Sequence, residues 1–295
     1  MKPIIVPKTY KYISAFLTMR CNINCSYCLN AFDKDFRRRG EEISGEEWVK
    51  GLNRIQSRPE VPITFSGGEP FVHHDFIYIL NNLKPDLTID VLTNLYPHPE
   101  KHREKLEEFL AKVNPERLKR NAPYASIRVS YHPEQMDPRL LVENVKRFQD
   151  RGFDVGIWAV LYPSSGQLSA INQMQFICKE SGIDFRLKEF TGVYKGEEYG
   201  DYSKYPASTF QDETKDCLCK ISDFLIAPDG NVHRCHRDLF AREFPVGNIL
   251  YENFELRDVF RACDKYGQCH PCDVKVKTDH KQKLGHTSVE IKDVK

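Results

Sequence analysis

Short apolar runs alternate with longer amphipathic stretches from residue 12 to about residue 190. YISAFLTM (12–19) reads as a strand, and VPITFS (61–66), LTIDVLTN (87–94), ASIRVSY (125–131), DVGIWAVLY (154–162) and DFRLKEF (184–190) read as five more. Helix-length segments lie between them at 44–57, 74–83, 99–113, 137–152 and 168–182. The first opens on Ser44 with Glu47 three residues on, a capping-box pair. The last two end at Gly152 and Gly182, where a helix can close. Mostly apolar strands alternating with helices predict an α/β fold built on a parallel sheet. The pattern suits an open doubly wound sheet or a partial barrel, and in both ligands gather at the carboxyl ends of the strands.

The pattern changes after residue 190. Residues 191–216 are rich in Gly, Tyr and charge without a clear period, and read as a linker or an active-site flap. Tyr194, Tyr199, Tyr202 and Tyr205 fall there, as pocket-lining or packing residues. FLIAPDGNVHRC (224–235) reads as a β-hairpin turning at Asp229-Gly230-Asn231, and ELRDVFRAC (255–263) looks helical. The expected division is 1–190 as the main α/β unit, 191–216 as linker or flap, 217–273 as a small cysteine-rich domain, and 274–295 as a polar tail.

Composition narrows the class of function. The 295 residues carry a formal net charge of +1, which gives no sign of a nucleic-acid stripe or a membrane-binding face. The apolar stretch near the N-terminus is too short for a secretory signal and no run is long enough to span a bilayer, so a cytoplasmic location is expected. In that compartment thiols stay reduced. The 10 cysteines therefore point to metal binding or catalysis and away from disulfides.

Three of them fall in RCNINCSYCLN (20–30), spaced Cys21-x-x-x-Cys25-x-x-Cys28, with no fourth thiol nearby. Three thiolates on one loop suit a cuboidal iron–sulfur cluster with one iron left open. Structural zinc, the alternative, wants four protein ligands. The spacing, Tyr27 before the last cysteine, and Gly67-Gly68-Glu69-Pro70 at the end of the second strand together resemble the radical S-adenosylmethionine (SAM) superfamily. The resemblance implies a partial (β/α)6 TIM-like barrel over about residues 12–190, with Cys21, Cys25 and Cys28 as cluster ligands. It implies SAM bound at the open iron, with Gly67, Gly68, Glu69 and Pro70 at its amino group. On the strand-end rim it points to Asn94 and Ser130 for the SAM carboxylate and ribose, and to Ile157, beside Trp158, for adenine. Reductive cleavage of SAM would give a 5′-deoxyadenosyl radical, with a flavodoxin or ferredoxin system as the reductant. Lys188 and Glu189 stand out as charges in a strand otherwise fit for burial, and Cys178 reads as a core residue.

The later cysteines resemble the auxiliary-cluster extension of the same superfamily, called twitch in its short form and SPASM in its longer form. The implied domain is a β-hairpin plus helix holding a second four-iron cluster through Cys219, Cys235, Cys269 and Cys272. Cys217 and Cys263 are left over, to replace one of these or to help hold a further cluster, and tetrahedral zinc is the alternative. Two reaction types fit. One is net oxidation of a small molecule such as a sugar or aminocyclitol. The other is modification of a peptide or protein side chain. Only about a dozen residues precede the first strand, which favours the small substrate. A zinc-binding module without activity is the reading from another class.

Overall fold

The computed structural model describes residues 1–28, 41–96, 101–190, 192–199, 215–266 and 289–294. Six parallel strands form its frame: β2 (Tyr12–Thr18), β4 (Ile63–Gly67), β5 (Ile89–Thr93), β6 (Ile127–Tyr131), β7 (Val155–Leu161) and β8 (Phe185–Glu189). They lie side by side in chain order with no reversal. Two two-residue strands, β1 (Ile4–Ile5) and β3 (Ile55–Gln56), pair separately.

Five helices connect the frame: α1 (Gly45–Leu52), α2 (Phe76–Asn82), α3 (Lys101–Lys112), α4 (Pro138–Asp150) and α5 (Ser165–Glu180). Their starts follow the chemistry of the sequence. Ser44 and Glu47 form the expected capping box on α1, and Asp137 caps α4 ahead of Pro138. Among the described residues no helix is long and apolar enough to cross a membrane.

The two faces of the sheet differ. Ile13, Ala15 and Leu17 of β2, Ile63 and Phe65 of β4, Ile127 and Val129 of β6, and Val155, Ile157 and Ala159 of β7 all enter one core with the helices. Side chains alternate along a strand, so Ser14, Thr64, Ser66, Asp90, Arg128, Ser130 and Trp158 face the other way. Parallel sheets are usually apolar on both faces. At the start of the strands the polar face is closed by Asp90, which pairs with Arg120 and, at 3.1 Å, with Arg128. Both guanidiniums stack on Tyr124. The far ends of the strands carry the candidate site.

Beyond β8 come a short hairpin, β9 (Gly192–Tyr194) with β10 (Glu197–Tyr199), and then β11 (Lys215–Ile221). The expected hairpin forms from β12 (Asp223–Ile226) and β13 (Asn231–His233). It continues the main sheet: β12 pairs in parallel with β2, and β14 (Pro245–Asn248) adds beyond β13. A short helix, α6 (His236–Ala241), follows the hairpin, and its Leu239 and Phe240 pack with Phe16 and Met19 in a second small core.

The helix expected at 255–263 does not form. That stretch runs without regular structure into β15 (Arg261–Tyr266), which pairs antiparallel with β11, and β16 (Val289–Asp293) pairs on the other side of β11. Nine residues are too few for a helix held by propensity alone, and the ladder to β11 decides the outcome. β8 is the edge of the main sheet, so Lys188 and Glu189 are exposed there and their charges need no buried partner.

Candidate active site

The two motifs meet through their backbones. The Gly68 N–H donates to the Thr18 carbonyl (2.8 Å) and the Glu69 N–H donates to the Arg20 carbonyl (2.9 Å). The end of β4 thus runs on alongside the residues that lead into Cys21. This approach excludes side chains: a Cβ on Gly67 would lie 2.1 Å from the Thr18 oxygen, and one on Gly68 2.1 Å from the Arg20 oxygen. Gly67 also has φ +135°, a conformation that favours glycine. Pro70 is buried and opens a 3-10 turn, Pro70–Val72.

The residues between the thiols are tied down on nearly every side. Arg20 donates to both carboxylate oxygens of Glu42 (3.0 and 2.6 Å), which also accepts from the Thr18 hydroxyl (2.5 Å). Asn22 donates to the Tyr96 carbonyl (2.8 Å) and accepts from the Asn94 side-chain amide (2.7 Å). The Ser26 N–H and hydroxyl both donate to Glu134 (3.0 and 2.5 Å). Tyr27 stacks on Tyr162, with ring centroids 4.8 Å apart. Its hydroxyl meets His132 Nδ1 and accepts from Gln167 Nε2, each at 3.1 Å. Burial lowers the His132 pKa to about 4, so the imidazole is neutral near pH 7. Burial also pushes the Tyr27 phenol up. Within the loop, Cys28 N–H donates to the Cys25 carbonyl at 3.3 Å, which turns the chain between these two thiols.

Glu69 is 2% exposed. Its Oε1 accepts from the Phe71 N–H (3.1 Å) and the Thr93 hydroxyl (2.7 Å), and its Oε2 accepts from the Asn94 N–H (2.7 Å). Burial raises its pKa to about 7, against the pull of these three donors. A carboxylate has about four acceptor sites, so one remains.

Asn94 is therefore bound to both motifs: its N–H holds Glu69 and its side chain holds Asn22, with Nδ2 3.8 Å from Cys21 Sγ. Ser130 is half-buried on the polar face, paired in register with Trp158. The Ile157 side chain lies in the main core, on the opposite side of the strand, which leaves the backbone and Trp158 toward the polar face. Glu42, Glu134, Gln167 and Tyr162 were not foreseen from sequence. Each lies far along the chain from the residue it holds, and no spacing signals such a contact. Cys178 packs in the main core, as its place in the helix predicts.

Comparison with known proteins bears on this site. The Radical SAM superfamily matches residues 16–163, half of the chain. The protein belongs to the radical SAM superfamily. As a radical SAM protein it is an enzyme, and membership implies a four-iron cluster and SAM as cofactors and a need for a reductant. The residues fit these groups in kind: three thiols on one anchored loop, against a strand end that admits no Cβ. Over 79 residues the chain is 46% identical to a probable GTP 3′,8-cyclase of Methanocella arvoryzae, a match covering 26% of this chain and 24% of that protein. It is also similar to the solved structure of native anSMEcpe with bound AdoMet and the Cp18Cys peptide, at 16% identity and TM-score 0.49, covering 95% of this chain and 86% of that one. A second structure, histidine-tagged anSMEcpe with bound AdoMet, shows 16% identity and TM-score 0.48, covering 84% and 78%.

A second group of thiols lies where β11 and β15 approach the end of the β12–β13 hairpin. Cys219, Cys235 and Cys263 line one pocket there, with Arg234, Arg237 and Arg261. Cys235 is buried and its thiol is pushed up to about 12, by burial first and then by Asp238. Cys269 and Cys272 lie outside the described residues. Among those described, no three His, Cys, Asp or Glu side chains are grouped to hold one metal ion. Ligands of a cuboidal cluster sit on different irons and stand farther apart than ligands of a single ion.

Proposed function

We propose that this radical SAM enzyme uses Cys21, Cys25 and Cys28 to hold its catalytic cluster, and that it oxidises a polar small molecule of the sugar or aminocyclitol type. The carrying observation is the direct backbone pairing of Thr18 and Arg20 with Gly68 and Glu69, which sets the thiol loop beside the glycine motif. When bound, the cluster and SAM supply a 5′-deoxyadenosyl radical that removes hydrogen from a substrate C–H bond. The chain's own part is to bind and orient. Glu42, Asn94, Glu134 and the Tyr27–His132–Gln167 chain hold the loop. The backbone at Gly68 and Glu69 and the remaining acceptor site of Glu69 suit the amino group of SAM. The six strands in chain order support a partial (β/α)6 barrel, with the polar face turned inward.

Ser130, half-buried on that face and in register with Trp158, suits a polyhydroxylated substrate. Peptide modification is the second reading. It is favoured by the aromatic run at the rim, where Tyr162 meets Phe190 and Tyr194 and both reach Tyr199. In either reading an auxiliary cluster on Cys219, Cys235, Cys269 and Cys272 would take or relay the second electron. Such chemistry fits the reducing cytoplasm.

The test is anaerobic reconstitution, followed by SAM and a strong reductant. The protein should be brown and form 5′-deoxyadenosine slowly without substrate. Changing Cys21, Cys25 and Cys28 together to Ala should abolish this. Undiminished 5′-deoxyadenosine from that variant, or a colourless protein with stoichiometric zinc, would overturn the reading.

A further inference from the structure

We propose that Cys263 ligates the auxiliary group together with Cys219 and Cys235, and that Cys217 does not. The inference rests on the auxiliary-cluster reading above and amends its ligand set, with Cys263 in place of Cys269 or Cys272. The register of β11 against β15 sets Cys217 opposite Cys263 and Cys219 opposite Arg261. Cross-strand partners share a face, and so do residues two apart on one strand. The three thiols of this sheet therefore point the same way, while Leu218 and Ala262 point the other way.

Sharing a face does not give them equal access. Cys219 and Cys263 stand on the pocket wall, whereas Cys217 is 1% exposed and not on it. Cys235 reaches the same pocket from the other sheet, just beyond β13. Arg234 fixes the two layers together. It donates to the Ala262 carbonyl next to Cys263 and pairs with Asp238, whose N–H donates to Cys235 Sγ at 3.4 Å. One side chain thus sets the spacing between Cys235 and Cys263.

The charge of the wall agrees. Arg234, Arg237, Arg257 and Arg261 line the pocket with the thiols, against Asp223, Asp238 and Glu255, so the wall keeps an excess of one positive charge. A cluster ligated by thiolates is anionic, and guanidiniums stabilise it by charge and by N–H donors to sulfur. Three of its ligands then come from residues 219, 235 and 263.

The test uses the full chain with Cys21, Cys25 and Cys28 changed to Ala, so that bound iron reports only the second site. After anaerobic reconstitution, iron, acid-labile sulfide and the electron paramagnetic resonance spectrum of the reduced protein are measured. The background protein should hold about four irons, the content of one cluster. Adding Cys263→Ala should at least halve the iron and alter the spectrum. Adding Cys217→Val, chosen because the site is buried, should leave both unchanged. Urea midpoints show which variants are folded, and Cys263→Ser is read in place of an unfolded alanine variant. Full iron and an unchanged spectrum in the folded Cys263 variant would overturn the proposal. Loss of iron from a folded Cys217→Val protein would overturn the exclusion of Cys217. A background protein that holds no iron would remove the auxiliary-cluster reading itself and this inference with it.

Discussion

Glu69→Gln, studied in the metal-free chain, tests the electrostatics at the centre of the site. The wild-type carboxyl is buried, and its pKa is raised from 4.5 to about 7 because burial outweighs its three hydrogen-bond donors. A pKa raised in the folded state means that folding favours the protonated form. The contribution to stability is then fully present below pH 4.5 and is lost as the pH rises through about 7. Each pKa unit corresponds to 1.36 kcal/mol, so this loss amounts to about 3 kcal/mol between pH 4.5 and pH 9. The side chain is buried, and solvent screening does not reduce the figure.

The glutamine variant cannot titrate at this position. Its amide –NH2 replaces one acceptor oxygen and faces a buried donor, at Asn94 or at Phe71 and Thr93. Leaving such a donor unsatisfied costs about 1–3 kcal/mol, with little dependence on pH. Urea unfolding of both proteins under reducing anaerobic conditions, at pH values from 5 to 9, separates the two effects. The variant should be less stable at pH 5, and the gap should close by about 2–3 kcal/mol by pH 9 as the wild type loses ground. Subtracting the two curves removes every other titrating group. A gap that stays constant would show that Glu69 ionises like an exposed carboxylate. A gap that widens with pH would show that the three donors outweigh burial, which reverses the sign of the argument.

Two further changes probe the loop and the strand end. Gly67→Ala places a Cβ 2.1 Å from the Thr18 carbonyl in a conformation that disfavours side chains. It should cost about 2 kcal/mol or more in urea unfolding and reduce iron loading of the first site, and near wild-type values in both would show that the strands can part cheaply. Tyr27→Phe keeps the stack on Tyr162 but removes the hydroxyl that links His132 and Gln167. It should cost about 1 kcal/mol, with iron content retained, and a loss of all iron would make the phenol more than a tether.

The frame was legible because its signals are local. The capping box at Ser44 and the apolar strand runs each sit within one element, and they formed within a few residues of the expected bounds. Cysteine spacing and the paired glycines were legible for a similar reason, since both constraints act within a dozen residues. What sequence hid was tertiary. ELRDVFRAC has helical spacing, yet its end is claimed by the ladder to β11. Strand β7 offers Ile157 and Trp158 alike to the rim, through backbone or side chain. Which of Ile157 and Trp158 faces the core depends on register, and one residue of slip exchanges them. The hairpin at 224–235 was expected, but no local signal says that β12 would pair with β2 and extend the main sheet.

The anchoring of the cysteine loop explains why three thiols in eight residues can be held ready without a disulfide or a regular element. Residues 21–28 form neither helix nor strand, so their backbone gets little support from ladders. Support comes instead from side chains delivered by separate connections: Asn94 after β5, Glu134 and Gln135 after β6, and Gln167 at the start of α5. Each is short, and each rests on a strand whose position the core fixes. The loop is therefore only as ordered as the strand ends around it, and a defect in one strand should reach the thiols through its own anchor. Asn94 has the widest reach in this respect, because it ties Glu69 to Asn22 and so couples the end of β4 to the loop that carries Cys21. The rim of the sheet and the cysteine loop are in this sense one unit, assembled from the ends of five parallel strands, β2, β4, β5, β6 and β7.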